Sequence, residues 1–249
     1  MENSVYVGLS KQVVLRANMN IIAQNIANIN TPGFRGQNMV FTEYVEDPRH
    51  MKEDISMVLD YGQYQKTDPG PMKSTGNPLD VALVGNGFLG IETNDGIQYT
   101  RAGNLAMNAD GEIVNALGMI VANENGGPIT IPQGAKEINI NRSGVVSTMS
   151  GITGELESTI VGKLMIKEFA NEQELNPAGN GLYKTDAAPL DSPKTRVIQA
   201  SLEGSNVQAV VEMTRMIDVS REYQAVQNMM NSENERLRSA ISKLSQTQG

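Results

Sequence analysis

The sequence predicts a segregated α+β fold: a long helix at each end of the chain and a mainly antiparallel, all-β domain between them. Apolar side chains recur every three to four positions over residues 4–30 and again over 205–245, which is the period of a helix face. The middle switches to short alternating runs broken by Gly, Asn and Asp, the pattern of strands and tight turns. No convincing helical period interrupts residues 79–160, which argues against a doubly wound parallel sheet. The expected organisation is an N-terminal helix over 1–34, an extended connector over 35–78, a β domain over 79–204 and a C-terminal helix over 205–249.

In the first segment Leu15, Met19, Ile22, Ile26 and Ile29 step by four, three, four and three, a seam of the coiled-coil kind. The run stops at Asn30-Thr31-Pro32-Gly33, where Pro removes a backbone donor and Gly permits a left-handed turn. Asn and Thr side chains in this stretch can bond the backbone groups freed at the helix end, and Phe34 is the candidate anchor for the exit. The connector carries Asp47-Pro48, Asp68-Pro69-Gly70-Pro71 and Asn77-Pro78, a proline density that favours extended backbone. In the β domain, Asn94-Asp95-Gly96 and Asp110-Gly111 are hairpin signals, and turn residues return every eight to twelve positions.

The last segment opens with Ser205-Asn206-Val207-Gln208, a capping-box spacing. Met216, Tyr223, Met230, Leu237 and Leu244 then follow seven apart, accompanied three residues later by Val219, Val226 and Ala240, with Glu233 the exception. A stripe of that length and period predicts a coiled coil, with the N-terminal helix as one partner. Residues 205–245 as one helix would measure about 60 Å, longer than a domain of this size is wide. Isolated helices are marginal in water, so both ends are expected to be largely disordered in the free monomer and to fold on assembly.

Composition narrows the function. The 249 residues carry 20 basic against 28 acidic side chains, for a net charge of −8, with no clustered Lys/Arg run that would bind phosphates. There is no cysteine, which excludes a disulfide scaffold, a thiolate metal site and a Cys nucleophile. No stretch is long and apolar enough to span a bilayer, and Glu2, Lys11 and Arg16 interrupt any apolar region of a cleavable signal peptide. Gly85-Asn86-Gly87-Phe88-Leu89-Gly90 matches the dinucleotide pattern G-x-G-x-x-G, but the following Ile91–Gly96 reads as a strand and hairpin turn, where the mechanism needs a helix. His50 is the single histidine and sits in a polar run, and Asp60, Asp68, Asp80 and Asp110 lack the spacing of a metal loop. No catalytic, cofactor or metal residue is assigned.

Three stretches together resemble the flagellar hook and rod family. They are Asn25-Ile26-Ala27-Asn28-Ile29-Asn30-Thr31-Pro32-Gly33-Phe34-Arg35; Leu79–Phe88 with Tyr99-Thr100-Arg101-Ala102-Gly103-Asn104 and Asp110-Gly111; and Ser205-Asn206-Val207 with Glu212-Met213 and Arg221-Glu222-Tyr223. They occur in order across nearly the whole chain, and the length is closer to rod members than to hook proteins. The opening Met1–Val7 and the lack of an insertion near 40–65 are nearer the proximal rod members than the distal ones. The resemblance implies a non-enzymatic structural subunit of the basal-body rod. It implies export through the flagellar type III apparatus, terminal helices packed in a periplasmic tube with copies of itself and other rod proteins, and a β domain outside that tube. The rival classes are a distal rod paralogue, and a secreted β-domain binding module that its helices merely oligomerise.

Overall fold

The computed structural model describes residues 2–46, 55–135, 137–150 and 157–246. The chain divides into two units: residues 1–27, 37–66 and 208–249 form the first, and 28–36 with 67–207 the second. The single histidine, His50, lies outside the described residues.

The first unit holds both helices. Helix α1 (Glu2–Ala27) has 26 residues, about 39 Å at 1.5 Å each. Strands β1 (Gln37–Glu46) and β2 (Ile55–Gln65) pair antiparallel as a hairpin, with a register shift at Val40/Phe41. The connector predicted as extended pairs with itself here, in a ladder of ten residue pairs that the sequence reading did not anticipate, built on β-prone Met39, Val40, Phe41, Tyr44 and Val45.

The second unit carries the strands between the helices. They are β3 (Met72–Ser74), β4 (Val81–Val84), β5 (Phe88–Thr93), β6 (Gly96–Thr100), β7 (Leu105–Met107) and β8 (Ile113–Asn115). After them come β9 (Glu137–Ile140), β10 (Val145–Ser150), β11 (Glu157–Lys163), β12 (Ile166–Glu168) and β13 (Asn176–Gly179). The set closes with β14 (Leu182–Lys184), β15 (Leu190–Asp191), β16 (Arg196–Gln199) and β17 (Ser201–Glu203). The largest sheet has order β13-β14-β6-β5-β12-β15, a three-stranded sheet runs β11-β10-β9, and β16-β4, β17-β3 and β7-β8 are antiparallel pairs. The predicted Asn94-Asp95-Gly96 turn joins β5 to β6, with Thr93 opposite Gly96. The runs Met119–Ala122 and Ile129–Ile131 make single bridges only, Val114 to Ile120, Ile91 to Val121 and Glu112 to Thr130.

One apolar core, with Val81, Leu83, Leu89, Ile91, Ile113, Val121, Ile129, Val146, Leu164 and Val197 buried in it, is the main hydrophobic support of this unit. An aromatic cluster of Phe88, Tyr99, Phe169 and Tyr183 adjoins it, with edge-on ring contacts of 4.8 to 6.0 Å.

Helix α2 (Ala209–Gln246) has 38 residues, about 57 Å, and belongs to the first unit. It starts at Ala209, four residues after Ser205. Ser205 Oγ accepts from the Val207 amide and Asn206 is engaged elsewhere, so neither residue is inside the helix.

Candidate assembly interface

In the first unit α1 and α2 run antiparallel. Gln12 Nε2 donates to Gln227 Oε1 at 2.6 Å, Lys11 lies 3.9 Å from Glu222, and Asn25 Nδ2 donates to Glu212 Oε2 at 3.3 Å. Rising numbers on α1 therefore meet falling numbers on α2. Continuing that register, α1 begins, at Glu2, opposite about residue 236, and the last turns of α2 extend beyond it. The crossing is close at Gly8, where a Cβ would lie 3.1 Å from Met230 Cγ and 3.3 Å from Met229 Cε. Glycine at that point lets the helices approach.

Burial follows the predicted period on α2. From residue 213 to 243 Val226 is buried, and Met216, Val219, Ser220, Tyr223, Met230, Glu233 and Leu237 are partly buried; the rest of that stretch is exposed. Leu244 falls in the helix, with its side chain outside the described set. On α1 the buried residues are Gly8, Val14, Leu15, Ile21, Ile22 and Asn25, while Met19 and Ile26 are partly covered. Ile29 is not on the helix at all: α1 ends at Ala27, and residues 28–30 form a turn in the second unit. The helical ends therefore find part of a core within their own chain, and α1 also packs on the β1–β2 hairpin.

That core has a polar end. The Asn25 side chain copies a strand neighbour, taking the Gln37 amide on Oδ1 and giving Nδ2 to the Gln37 carbonyl, each at 2.9 Å. Glu212, in the first turn of α2, is 1% exposed and is approached by Asn25, by Arg215 at 3.2 Å and by Lys66 at 3.7 Å. Both Glu212 oxygens thus have donors, Oε2 from Asn25 and Oε1 from Arg215.

The rest of the N-terminal motif and the Ser205-Asn206-Val207 stretch meet in the second unit. Thr31 Oγ1 donates to Asn28 Oδ1, and Thr31 and Phe34 amides close turns on Asn28 and Thr31 carbonyls, while Ala27 and Asn30 are exposed and Pro32 is partly covered. Asn206 Oδ1 accepts from the Gly36 amide at 2.8 Å and its Nδ2 donates to the Asp68 carbonyl at 2.7 Å. Val207 is buried. Gly33 has φ +66, and a Cβ on it would fall 2.4 Å from the Arg101 carbonyl carbon. Only glycine fits there. Phe34 is only partly buried; the anchor at the exit is Arg35, which is 2% exposed and paired with Glu172. A guanidinium can be buried here because it has both a carboxylate and a ring to rest on.

Arg101 is the central residue. Its side chain is fully buried, its Nε donates to Glu203 Oε2 at 2.9 Å, and its terminal nitrogens donate to the Leu83, Gly85 and Gly87 carbonyls. Burial pulls its pKa below the ordinary value and Glu203 pulls it back; a guanidinium so placed keeps its charge. Arg35 and Arg101 lie 5.4 and 5.6 Å from the Phe88 ring centroid, so Phe88 holds two cations on its π system. The G-x-G-x-x-G stretch therefore folds around an arginine and runs into a strand, with no helix amides for a pyrophosphate. Arg35 and Arg101 stand within the sequence motifs, but no local pattern assigns them a role. The readable signal was a full charge set between small and aromatic neighbours in Thr100-Arg101-Ala102 and Phe34-Arg35-Gly36.

Among the described residues no group of acids or histidine could hold a metal ion, and no helix is long and apolar enough to cross a membrane. Paired terminal helices, a β region between them in the chain and buried polar locks at the turns are the features of a structural protein. Comparison with known proteins agrees. Residues 6–35 match the flagella basal body rod protein family, 82–148 the D1 domain of the flagellar hook protein FlgE/F/G family, and 198–243 the C-terminal region of the flagellar basal body rod FlgEFG family. The chain is 35% identical to flagellar basal-body rod protein FlgF of Caulobacter vibrioides, over 98% of both chains. It is 30% identical to FlgF of Rhizobium meliloti, again over 98% of both, and 33% identical to flagellar basal-body rod protein FlgG of Agrobacterium fabrum, over 92% of this chain and 94% of that one. The chain belongs to the flagellar basal-body rod protein family, whose members are structural proteins and not enzymes.

Proposed function

We propose that this protein is a proximal subunit of the flagellar rod and that its terminal helices are the surface through which it assembles. The observation that carries this is apolar surface left bare on helices that are already paired. On α1, Tyr6 and Val13 are each 62% exposed and Leu9 is exposed with them, at i, i+3 and i+7. On α2, Val210 is 77% exposed, and Met213, Ile217 and Ile241 are exposed beyond it. One chain covers one face of each helix, and neighbouring copies or other rod proteins cover the other. On assembly the seam residues Leu15, Met19, Ile22, Ile26, Met216, Tyr223, Met230 and Leu237 pack as a coiled coil. Repeating such a contact with a rotation that does not close gives a helical tube in the periplasm, and torque passes through interlocked helices.

The helices are incomplete in the free subunit and order fully on assembly, a state suited to passage through the flagellar export apparatus. Asn25, Asn206, Arg35 and Arg101 fix the turns through which the chain leaves and re-enters the helical unit. Leu237→Asp tests the seam: it should block incorporation into rods while the β unit stays folded. Normal rods built from that variant would refute the assignment.

A further inference from the structure

The second unit contains a cleft of about 400 Å³ that no helix contact uses. Its lining includes Leu164 and Met165, both buried. Its rim carries Arg142, Lys163, Lys167 and Arg196 against two acids, Glu124 and Asp191. Lys163 pairs with Glu124 at 3.0 Å and Lys167 with Asp191 at 2.6 Å. Arg142 and Arg196 have no acidic partner among the described residues. The cleft is thus locally basic in a chain whose net charge is −8. The field is visible in Asp191, whose carboxyl is held below the usual range first by its hydrogen bond from Lys167 and then by the charges of Lys167 and Lys163.

The backbone that carries the two unmatched arginines is fixed at both positions. Asn141 Oδ1 accepts from the Ser143 and Val145 amides at 2.9 and 3.0 Å, closing the turn that presents Arg142. The Arg142 carbonyl accepts from the Val197 amide at 2.9 Å, which ties that turn to the strand carrying Arg196. Two exposed guanidiniums beside a cleft lined in part by Leu164, Met165 and Ile166 fit a short peptide bearing carboxylates. The same chain offers one. The β5–β6 hairpin ends in Glu92-Thr93-Asn94-Asp95, with Glu92 and Asp95 exposed and without a cationic partner among the described residues. An acidic hairpin tip and a basic cleft built from different residues make a heterologous pair, the kind of contact an open helical assembly requires.

We propose that the cleft framed by Arg142 and Arg196 receives the acidic Glu92–Asp95 hairpin tip of a second copy of this chain, a lateral contact between β units that acts alongside the helices. It rests on the rod reading above. A photoreactive residue in place of Ser143, in the full-length chain expressed in a motile bacterium lacking its own copy, reads the contact directly. The expected result is a self-adduct that falls about tenfold in Arg142→Glu/Arg196→Glu and in Glu92→Lys/Asp95→Lys, and returns when the two are combined. Self-adducts indifferent to the reversals, or adducts with another protein only, overturn the proposal. The two ideas fail differently. If the helix reading is wrong, Leu237→Asp chains still enter rods; if the cleft proposal is wrong, Arg142→Glu/Arg196→Glu chains enter rods and keep their adduct.

Discussion

Arg101 and Glu203 stand 102 residues apart in sequence and form an ion pair that is 0% and 1% exposed, with Nε and Oε2 at 2.9 Å. Glu203 uses its second oxygen for the Gly70 amide, and its carbonyl accepts the Gly33 amide, so one residue joins three separate lengths of chain. Removing one partner leaves an uncompensated buried charge. Arg101→Met should therefore lower the stability of the β unit by about 3–5 kcal/mol, and Glu203→Gln by a smaller amount because it keeps the shape and one acceptor. Thermal melts of the two variants check the order; a melt unchanged by Arg101→Met would show that the pair is dispensable.

Thr148 provides the opposite case. Its Oγ1 is buried in β10 with no hydrogen-bond partner among the described residues. Thr148→Val removes that desolvated hydroxyl at nearly constant volume and should stabilise the protein by about 1 kcal/mol. A higher denaturant midpoint at unchanged slope would confirm it.

Gly33 and Gly8 are glycines for different reasons. At Gly33 both φ and the Arg101 backbone exclude a Cβ, so Gly33→Ala should cost about 1–3 kcal/mol and loosen the exit turn. At Gly8 the obstacle is the flexible side chain of Met230. There Gly8→Ala gains up to about 1 kcal/mol of helix propensity against a tight contact and should be near neutral. Gly8→Leu should force the helices apart. Melting of the helical signal in the three variants separates these outcomes.

The helices were legible because their signal is local. A seven-residue stripe from Met216 to Leu237 is printed in the sequence, and the structure partly covers it. The Asn94-Asp95-Gly96 hairpin was legible for the same reason, since a positive φ at Gly96 is a demand of the turn itself. The β1–β2 hairpin was obscured by the prolines around it, although its β-prone residues were in plain view. Ile29 kept the period of the seam but lay beyond Ala27, where the Asn-Thr-Pro-Gly turn had already ended the helix. Arg35 was hidden for a different reason. Its partners, Glu172 and Phe88, lie 137 and 53 residues away, and pairing over such separations leaves no local trace. The bulky Phe34 beside it drew the anchoring role in the sequence reading.

Amide hydrogen exchange along α2, in the purified monomer and in assembled rods, tests most directly whether sister chains finish what one chain leaves open. The account predicts fast exchange in the monomer for the turns beyond residue 236, where α1 offers no cover, and strong protection of the same amides in rods. Slow exchange along the whole of α2 in the isolated monomer would contradict it.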